Sequence, residues 1–575
     1  MASHDVAGAV KTRTFWPWLK SYPEGLDWYR SYEAAPVYTL LERAAEKYPD
    51  KVCTDFFGRT LTYRTIDRLV DETAAGLQAL GVERGSRVGL LLPNTPTYVV
   101  YYFAILKAGG VVVNYNPLYT IDELRHQIED SGTELMVTLD LHVLFDKVEA
   151  LIKQGVLGGA IIASFAALLP TAKATMFKLL KWRDLARVSA SPVADKLVLQ
   201  SSLRQPGQRP APPNINPAEE LAVLQYTGGT TGVPKGAMLS HANIYINTLQ
   251  VCDWGPVLVE GEERFLAVLP FFHVFAMTAV MNVAIAKAAA LIIMARFKLN
   301  DTLALIHSSR PTVMPGVPTL FNAIINHPRI EGHDLSSLKY CISGGAALPL
   351  EVRQRFEELS GCPVVEGYGL SETSPVVTCN PIGVLPKDSS IGLPLPETIV
   401  SLRDVDDPDR EVSPGEKGEM CIKGPQVMMG YWNNPEETAR AFTSDGFLRT
   451  GDVAVMDDDG MFSIVDRMKD LIICSGFNVY PRQIEEAIYT HPDVEEVTVI
   501  GIADAYRGEA PKAFVKLKAG AQVSENDLLN HLATKLSKIE MPAAIEFRDE
   551  LPKTLIGKLS KKELREEEAR RKASS

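Results

Sequence analysis

The segment from Tyr226 to His241, YTGGTTGVPKGAMLSH, concentrates anion-binding chemistry in one place. Gly228, Gly229 and Gly232 carry no Cβ, so backbone amides can approach an anion closely, while Thr227, Thr230 and Thr231 offer hydroxyl donors. Lys235 adds a positive charge, and the whole loop could wrap a triphosphate. It is not the Walker arrangement, because Pro234 rather than glycine precedes Lys235 and Gly236 rather than Ser or Thr follows it. Any glycine-rich loop can be a turn and nothing more. Three threonines, three glycines and a Pro-Lys-Gly within one short loop argue against so plain a role.

The elements that must hold this loop follow from periodicity. The apolar run LAVLQ just before it reads as a strand, and it is one of many. From about Val37 to Leu139, the runs RVGLLLP, VVVNYNP and LMVTLD alternate with helix-period stretches such as TIDRLVDETAAGLQAL, which predicts βα units and a doubly wound parallel sheet. The proline-rich stretch QPGQRPAPPNINP from Gln205 has little capacity for helix or ladder and separates subdomains. RFLAVLP, ALIIM, LKYCISGG and VVEGY continue the alternation, and from about Ile391 to DRMKD the texture is β-rich with Gly/Pro turns. A shorter unit follows: a helix around RQIEEAIYTH, strands VEEVTVIGI and APKAFVKLK, a helix around ENDLLNHLATKL and a charged tail. The predicted fold is α/β, with a large N-terminal domain of doubly wound βα subdomains plus a β-rich subdomain, and a small α+β C-terminal domain. No internal repeat is apparent.

Composition bounds the function. A chain of 575 residues exceeds a single compact core, and 46% hydrophobic with 23% charged residues is ordinary for a globular protein. A formal net charge of −12 argues against a general nucleic-acid binder, so any polyanionic ligand must be held by local cations and backbone amides. Seven scattered cysteines show neither close pairing nor metal-ligand spacing, which points to a reducing, cytoplasmic location. The N-terminal MASHDVAGAVKTRTFWPWLK carries charges where a secretory apolar core would lie, so no export signal is expected.

The loop TGGTTGVPKG resembles the signature of the adenylate-forming superfamily of acyl-CoA synthetases, synthetase adenylation domains and luciferases, and further elements similar to that family occur in order. SGGAALP and EGYGLSETSP resemble its adenine-binding wall. The resemblance implies that Gly344, Gly345 and Ala346 lie beneath the base, that Tyr368 stacks on it within Glu366, Gly367 and Gly369, that Glu372 binds Mg²⁺, and that Thr373 contacts phosphate or carboxylate. In FLRTGDVA, Asp452 matches the aspartate that accepts from the ribose hydroxyls. VDRMKDLIICSGFNVYP supplies Arg467 for ribose and phosphate, Lys469 as the interdomain hinge, and Gly476, Phe477 and Asn478 for the loop presented during thioester formation. LPKTLIGKLSK places Lys558 at the catalytic lysine, and PFFHVFAM places His273 near the substrate carboxylate, in a positioning role. By themselves a lysine in a basic tail is usually a solvated charge and a buried histidine is often only structural.

The resemblance spans nearly the whole chain and its wording is most similar to bacterial long-chain fatty acyl-CoA synthetases. It implies ATP and coenzyme A as co-substrates with Mg²⁺, and catalysis by Lys558, Thr227, Glu372 and His273. It also implies a domain at 1–466, a hinge at 467–470 and a mobile domain at 471–575. A medium-chain or aryl acid ligase, a fatty acyl-AMP ligase and an inactive nucleotide-binding scaffold are the alternatives. A homodimer is a further option. Finally, GVLGGAIIASFAALLPTA (155–172) is uncharged and is followed by KATMFKLLKWRDLAR, with Lys173, Lys178, Lys181, Arg183 and Arg187. It is marginal for spanning a bilayer; docking on a membrane surface and internal packing are the two readings of 155–187.

Overall fold

Short apolar runs, each followed by an amphipathic stretch, build two large sheets that share one core. The computed structural model describes residues 15–227, 234–382, 387, 389–475, 477–504, 506–554 and 557–574. The first sheet runs in the order Leu197–Leu199, Gly159–Ala163, Leu135–Leu139, Arg87–Leu90, Val111–Asn114, Leu221–Thr227, Lys235–Ser240. All neighbours are parallel except the last two strands, which form an antiparallel hairpin.

The second sheet has a parallel block of Val52–Phe56, Ala290–Ile293, Arg264–Ala267, Val313–Gly316, Tyr340–Gly344 and Val364–Gly369. Beyond Val364–Gly369 it turns antiparallel through Val376–Cys379, Ser390–Pro394, Phe462–Arg467, Leu448–Met456, Gly418–Lys423 and Ile399–Arg403. This is the β-rich stretch expected after Ile391.

The helix Pro96–Ala108 shows why the sheets cannot be separate bodies. It is apolar on every side, so it must be covered on every side. Thr95 caps its start and Gly109, at φ 93°, ends it. Its Tyr98 hydroxyl donates to Asn114 Oδ1 (2.6 Å) of the first sheet and to Phe271 O (2.9 Å) beyond a strand of the second. Val88 and Leu90 of one sheet and Phe265, Leu291 and Val313 of the other belong to the same apolar core.

After the turn Met468–Asp470 comes a small sheet ordered Phe477–Val479, Ile472–Cys474, Gly508–Leu517, Val494–Asp504, with Ala544–Phe547 parallel to Gly508–Leu517. Helices Pro481–Tyr489 and Glu525–Leu532 cover it through Ile484, Ile488, Leu528 and Leu532. The charged tail is a helix, Lys561–Ser574, held by buried Leu564 and by pairs such as Lys512–Glu568 (2.8 Å) and Arg548–Glu567 (2.8 Å).

The proline-rich linker lies on the first domain, where the Gln78 amide accepts from Ala211 N–H (2.8 Å) and donates to Ala211 O (2.9 Å). The two halves of 155–187 part company. Gly159–Ala163 is a strand inside the seven-stranded sheet, with Ala160 to Ala163 buried, so the uncharged half packs internally. The basic half begins with the helix Thr171–Leu180, which has no buried residue. No described helix is long and apolar enough to cross a membrane.

Candidate functional site

The carboxyl ends of strands from both large sheets meet at one cavity of about 550 Å³, which also receives residues from the small unit. Crevices at the carboxyl ends of α/β sheets are where such folds place ligands.

Thr227 and Lys235 pair directly across the mouth of the hairpin and both line the cavity. Gly228, Gly229, Thr230, Thr231 and Gly232, between them, lie outside the described residues. The Lys235 ammonium pairs with the Glu437 carboxylate and sits 5.4 Å from the centre of the Tyr431 ring. Arg440 also pairs with Glu437 (2.7 Å). Lys235 and Arg440 together hold the Glu437 carboxyl below its usual range. The Tyr431 hydroxyl donates to Glu372 Oε1 (2.8 Å), and the turn Ser371–Thr373 packs against both hairpin strands. Tyr431 and Glu437 are site residues that sequence reasoning did not single out. Tyr431 lies in the run GPQVMMGYW, whose wording resembles the family, and Glu437 at a helix start, with Asn434 Oδ1 accepting from Glu437 N–H (3.1 Å).

The strands Tyr340–Gly344 and Val364–Gly369 set Ser343 opposite Glu366 and Gly344 opposite Gly367. Gly344, Gly345, Gly367, Tyr368 and Gly369 line the cavity; Ala346, Glu366 and Thr373 are not among its lining residues. Ala346 is exposed. The buried Glu366 carboxylate accepts from Leu348 N–H (3.0 Å), and burial raises its pKa to about 7. The Thr373 hydroxyl donates to the backbone of the same turn, at Leu370 O and Pro375 O.

Asp452 and Arg467 are register partners on adjacent antiparallel strands. The Tyr368 hydroxyl donates to Asp452 Oδ2 (2.6 Å), and Arg467 Nε stands 3.4 Å from Oδ1. The Asp452 carboxylate is the largest influence on Arg467 and raises its already high pKa. Glu419 accepts from Arg449 (2.7 Å) and from Gly451 N–H (3.1 Å), fixing the stretch that carries Asp452.

Lys558 reaches the same cavity from the small unit. Thr319 Oγ1 donates to Gly557 O (2.6 Å) and Asn322 Nδ2 to Glu495 O (3.1 Å), docking that unit on the large one. Gly345 has φ +84°, and a Cβ there would lie 2.7 Å from Lys558 Cε, so the lysine's path needs a residue without a side chain. Burial, reinforced by the nearby Arg467 charge, lowers the Lys558 pKa to about 8 against the opposing pull of Asp452. Burial and the Lys558 charge lower His273 to about 3, so its ring is neutral at physiological pH. His273 Nδ1 accepts from Phe275 N–H (3.3 Å), which places the ring proton on Nε2. Lys469, in the turn between the two units, also lines the cavity, and burial lowers its pKa.

Much of the cavity lining is apolar. Val251 and Trp254 come from the end of the helix His241–Trp254, Leu258 from the turn after it, and Ala279 and Val283 from a helix whose first turns, Ala276–Asn282, are of the wide π type. Wide turns of this kind often mark binding sites. Phe477 (62% exposed) and Asn478 stand on the surface hairpin of the small unit and do not line the cavity; Gly476 beside them lies outside the described residues.

Comparison with known proteins agrees with this geometry. Residues 41–432 match the model of the AMP-binding enzyme family and residues 483–558 that of the AMP-binding enzyme C-terminal domain. A long-chain-fatty-acid–CoA ligase of Bacillus subtilis is 42% identical, with 96% of this chain and 98% of that protein covered. A feruloyl-CoA synthase of an Amycolatopsis species is 35% identical over 91% and 97%. The crystal structure of ATP-bound MatB from Rhodopseudomonas palustris superposes with a TM-score of 0.79 at 29% identity, covering 92% of this chain and 98% of that one. With both family models matched in order and relatives aligned end to end, this chain belongs to the AMP-binding enzymes.

Proposed function

We propose that this protein activates long-chain fatty acids, forming an acyl-adenylate from the acid and ATP with release of pyrophosphate, then transferring the acyl group to coenzyme A. The observation that carries this reading is one cavity with two chemistries. The polar groups Thr227, Lys235, Glu372, Asp452 and Lys558 line the same cavity as the apolar Trp254, Leu258, Ala279 and Val283. Relatives 42% and 40% identical to this chain are long-chain-fatty-acid–CoA ligases.

In the first step a carboxylate oxygen bonds to the α-phosphorus of ATP and the bond to pyrophosphate breaks. Both reactants are anions, so neutralising charge is the main task of the site. A carboxylic acid is already ionised at neutral pH, so no general base is required. Thr227 and Lys235 address the phosphates, Gly344, Gly345 and Tyr368 the adenine, and Asp452 and Arg467 the ribose. Lys558 stabilises the charge that develops between the carboxylate and the α-phosphate. His273, neutral and carrying its proton on Nε2, can donate to the carboxylate without attracting it as a fixed charge would.

Glu372 is the carboxylate that would hold Mg²⁺ arriving with ATP, and a single half-buried carboxylate steadied by Tyr431 suits a dication that keeps its waters and phosphate ligands. Such an ion would supply further charge neutralisation at the phosphates.

For the second step the domains 1–466 and 471–575 would rotate about the hinge 467–470 at Lys469. Lys558 would withdraw, and Gly476, Phe477 and Asn478 would move toward the thiol's path. The surface position of Phe477 and Asn478 while Lys558 is docked supports this alternation. The deciding experiment is pyrophosphate release across acids from short to long chain and aromatic, with and without coenzyme A. Long-chain acids should give the highest kcat/KM, and coenzyme A should speed turnover. Preference for an aromatic acid, or indifference to coenzyme A, would overturn the assignment.

A further inference from the structure

The helix Thr171–Leu180 and the turn after it show an apolar face to solvent that the fold does not use. Ala174 and Phe177 rest on the core, with Phe177 5.1 Å from the Phe165 ring. The opposite face carries Met176 (55% exposed), Leu179 (71%) and Leu180 (74%), spaced i, i+3, i+4, followed by Trp182 (53%). Phe57 (48% exposed), at the tip of the Val52–Phe56 and Arg59–Thr62 hairpin, borders the helix start, where Lys173 Nζ donates to Phe57 O (2.8 Å) and lies 5.8 Å from its ring centre. Scattered single apolar residues need no explanation, but five adjoining large ones do.

Around this face stand Lys173, Lys178, Lys181 and Arg183, with Arg59 behind them bonded to Ala167 O. The acidic groups at its margin are Asp184, 3.7 Å from Lys181, Asp55, which accepts from Gly58 N–H in the hairpin turn, and the half-buried Asp140, which feels the Lys178 charge and accepts from Phe165 N–H (2.7 Å). No acidic residue occurs from 171 to 183, in a chain whose net charge is −12. We propose that this surface docks on an anionic lipid bilayer, with Met176, Leu179, Leu180, Trp182 and Phe57 entering the headgroup–acyl boundary and the four cations meeting lipid phosphates.

Charge complementarity selects that occupant. A second copy of the chain related by two-fold symmetry would press each cationic cluster against its twin. A bilayer offers an apolar layer beneath a dense negative one, which is the order in which this face presents its groups. The overall negative charge repels the same membrane, so attachment must be confined to this patch and must weaken as salt screens it.

The test is co-sedimentation of the full-length protein with vesicles of phosphatidylglycerol and phosphatidylcholine, and with phosphatidylcholine alone. It needs no turnover, so it stands or falls apart from the proposed reaction. The wild type should bind the anionic vesicles at low salt and lose most binding at high salt. Leu179→Glu/Leu180→Glu and Lys178→Glu/Lys181→Glu should each lower the bound fraction about tenfold while leaving pyrophosphate release with a water-soluble acid unchanged. Brominated acyl chains should quench Trp182, and Trp182→Phe should remove that quenching while keeping most of the binding. Absence of wild-type binding, or equal binding by the Leu179→Glu/Leu180→Glu variant, would refute the proposal. So would a drop in molecular mass of that variant by light scattering, which would assign the face to a second copy.

Discussion

In the proposed reaction Lys558 must remain charged in a place that disfavours charge. Burial and Arg467 bring its pKa to about 8, so in the free enzyme the cation is lost as pH rises past that value. The kcat/KM for adenylation should therefore fall above about pH 8, and Lys558→Arg should abolish that descending limb even if its rate is lower; pyrophosphate release measured across pH checks both. The same shift bears on stability. Between pH 8 and the unfolded value of about 10.5 the unfolded chain binds more protons at this residue than the folded one, so this group makes the fold more stable as pH rises through that window. Lys558→Ala should lose about 10²- to 10³-fold in adenylation, with little change in thioester formation from supplied acyl-adenylate. Glu437 poses the converse case, since it neutralises the Lys235 cation where phosphate would bind. Glu437→Gln should lower the KM for ATP by about two- to fivefold and deepen inhibition by pyrophosphate, as befits a partly buried ion pair at the rim of a solvated cavity.

Among the elements, the helix entered through the π turns Ala276–Asn282 supplies apolar wall to the cavity. Ala279 is 3% exposed and faces the cavity, so a larger side chain there has nowhere to go but into it. Ala279→Phe should reduce kcat/KM for long-chain acids by about 10- to 100-fold while sparing short ones, which activity across an acid series measures. The strand Leu221–Thr227 was legible from the run LAVLQ, but its antiparallel partner Lys235–Ser240 was not. The tail helix was less so, because a segment with one buried residue, Leu564, has almost no periodicity to read.

For the molecule as a whole, the docking of the small unit on the large one decides whether Lys558 is in the site at all. That docking includes Thr319 to Gly557 O (2.6 Å) and Asn322 to Glu495 O (3.1 Å), away from the contacts near the turn such as Arg482 to Ile464 O (2.7 Å). At about 1 kcal/mol for each hydrogen bond, Thr319→Ala/Asn322→Ala should slow adenylation about thirtyfold without slowing thioester formation from acyl-adenylate. Equal losses in the two half-reactions, assayed separately, would mean that these contacts stabilise the fold rather than one arrangement of it.

Local chemistry was written in the sequence wherever neighbours along the chain supply it. The glycine- and threonine-rich loop, the aromatic wall around Tyr368, the βα alternation and the ordered motifs needed no coordinates to be recognised. Contacts between distant segments were not so written: Glu437 on Lys235, Tyr431 on Glu372, Gly345 beneath Lys558, and the neutral His273. Each depends on burial and on the approach of groups separated by tens to hundreds of residues, and neither periodicity nor composition encodes those distances. The stretch 155–187 shows both limits at once. Its lack of charge and basic sequel left membrane docking and internal packing both open, and only the packed sheet decided that Gly159–Ala163 is an internal strand while Leu179 and Leu180 face outward.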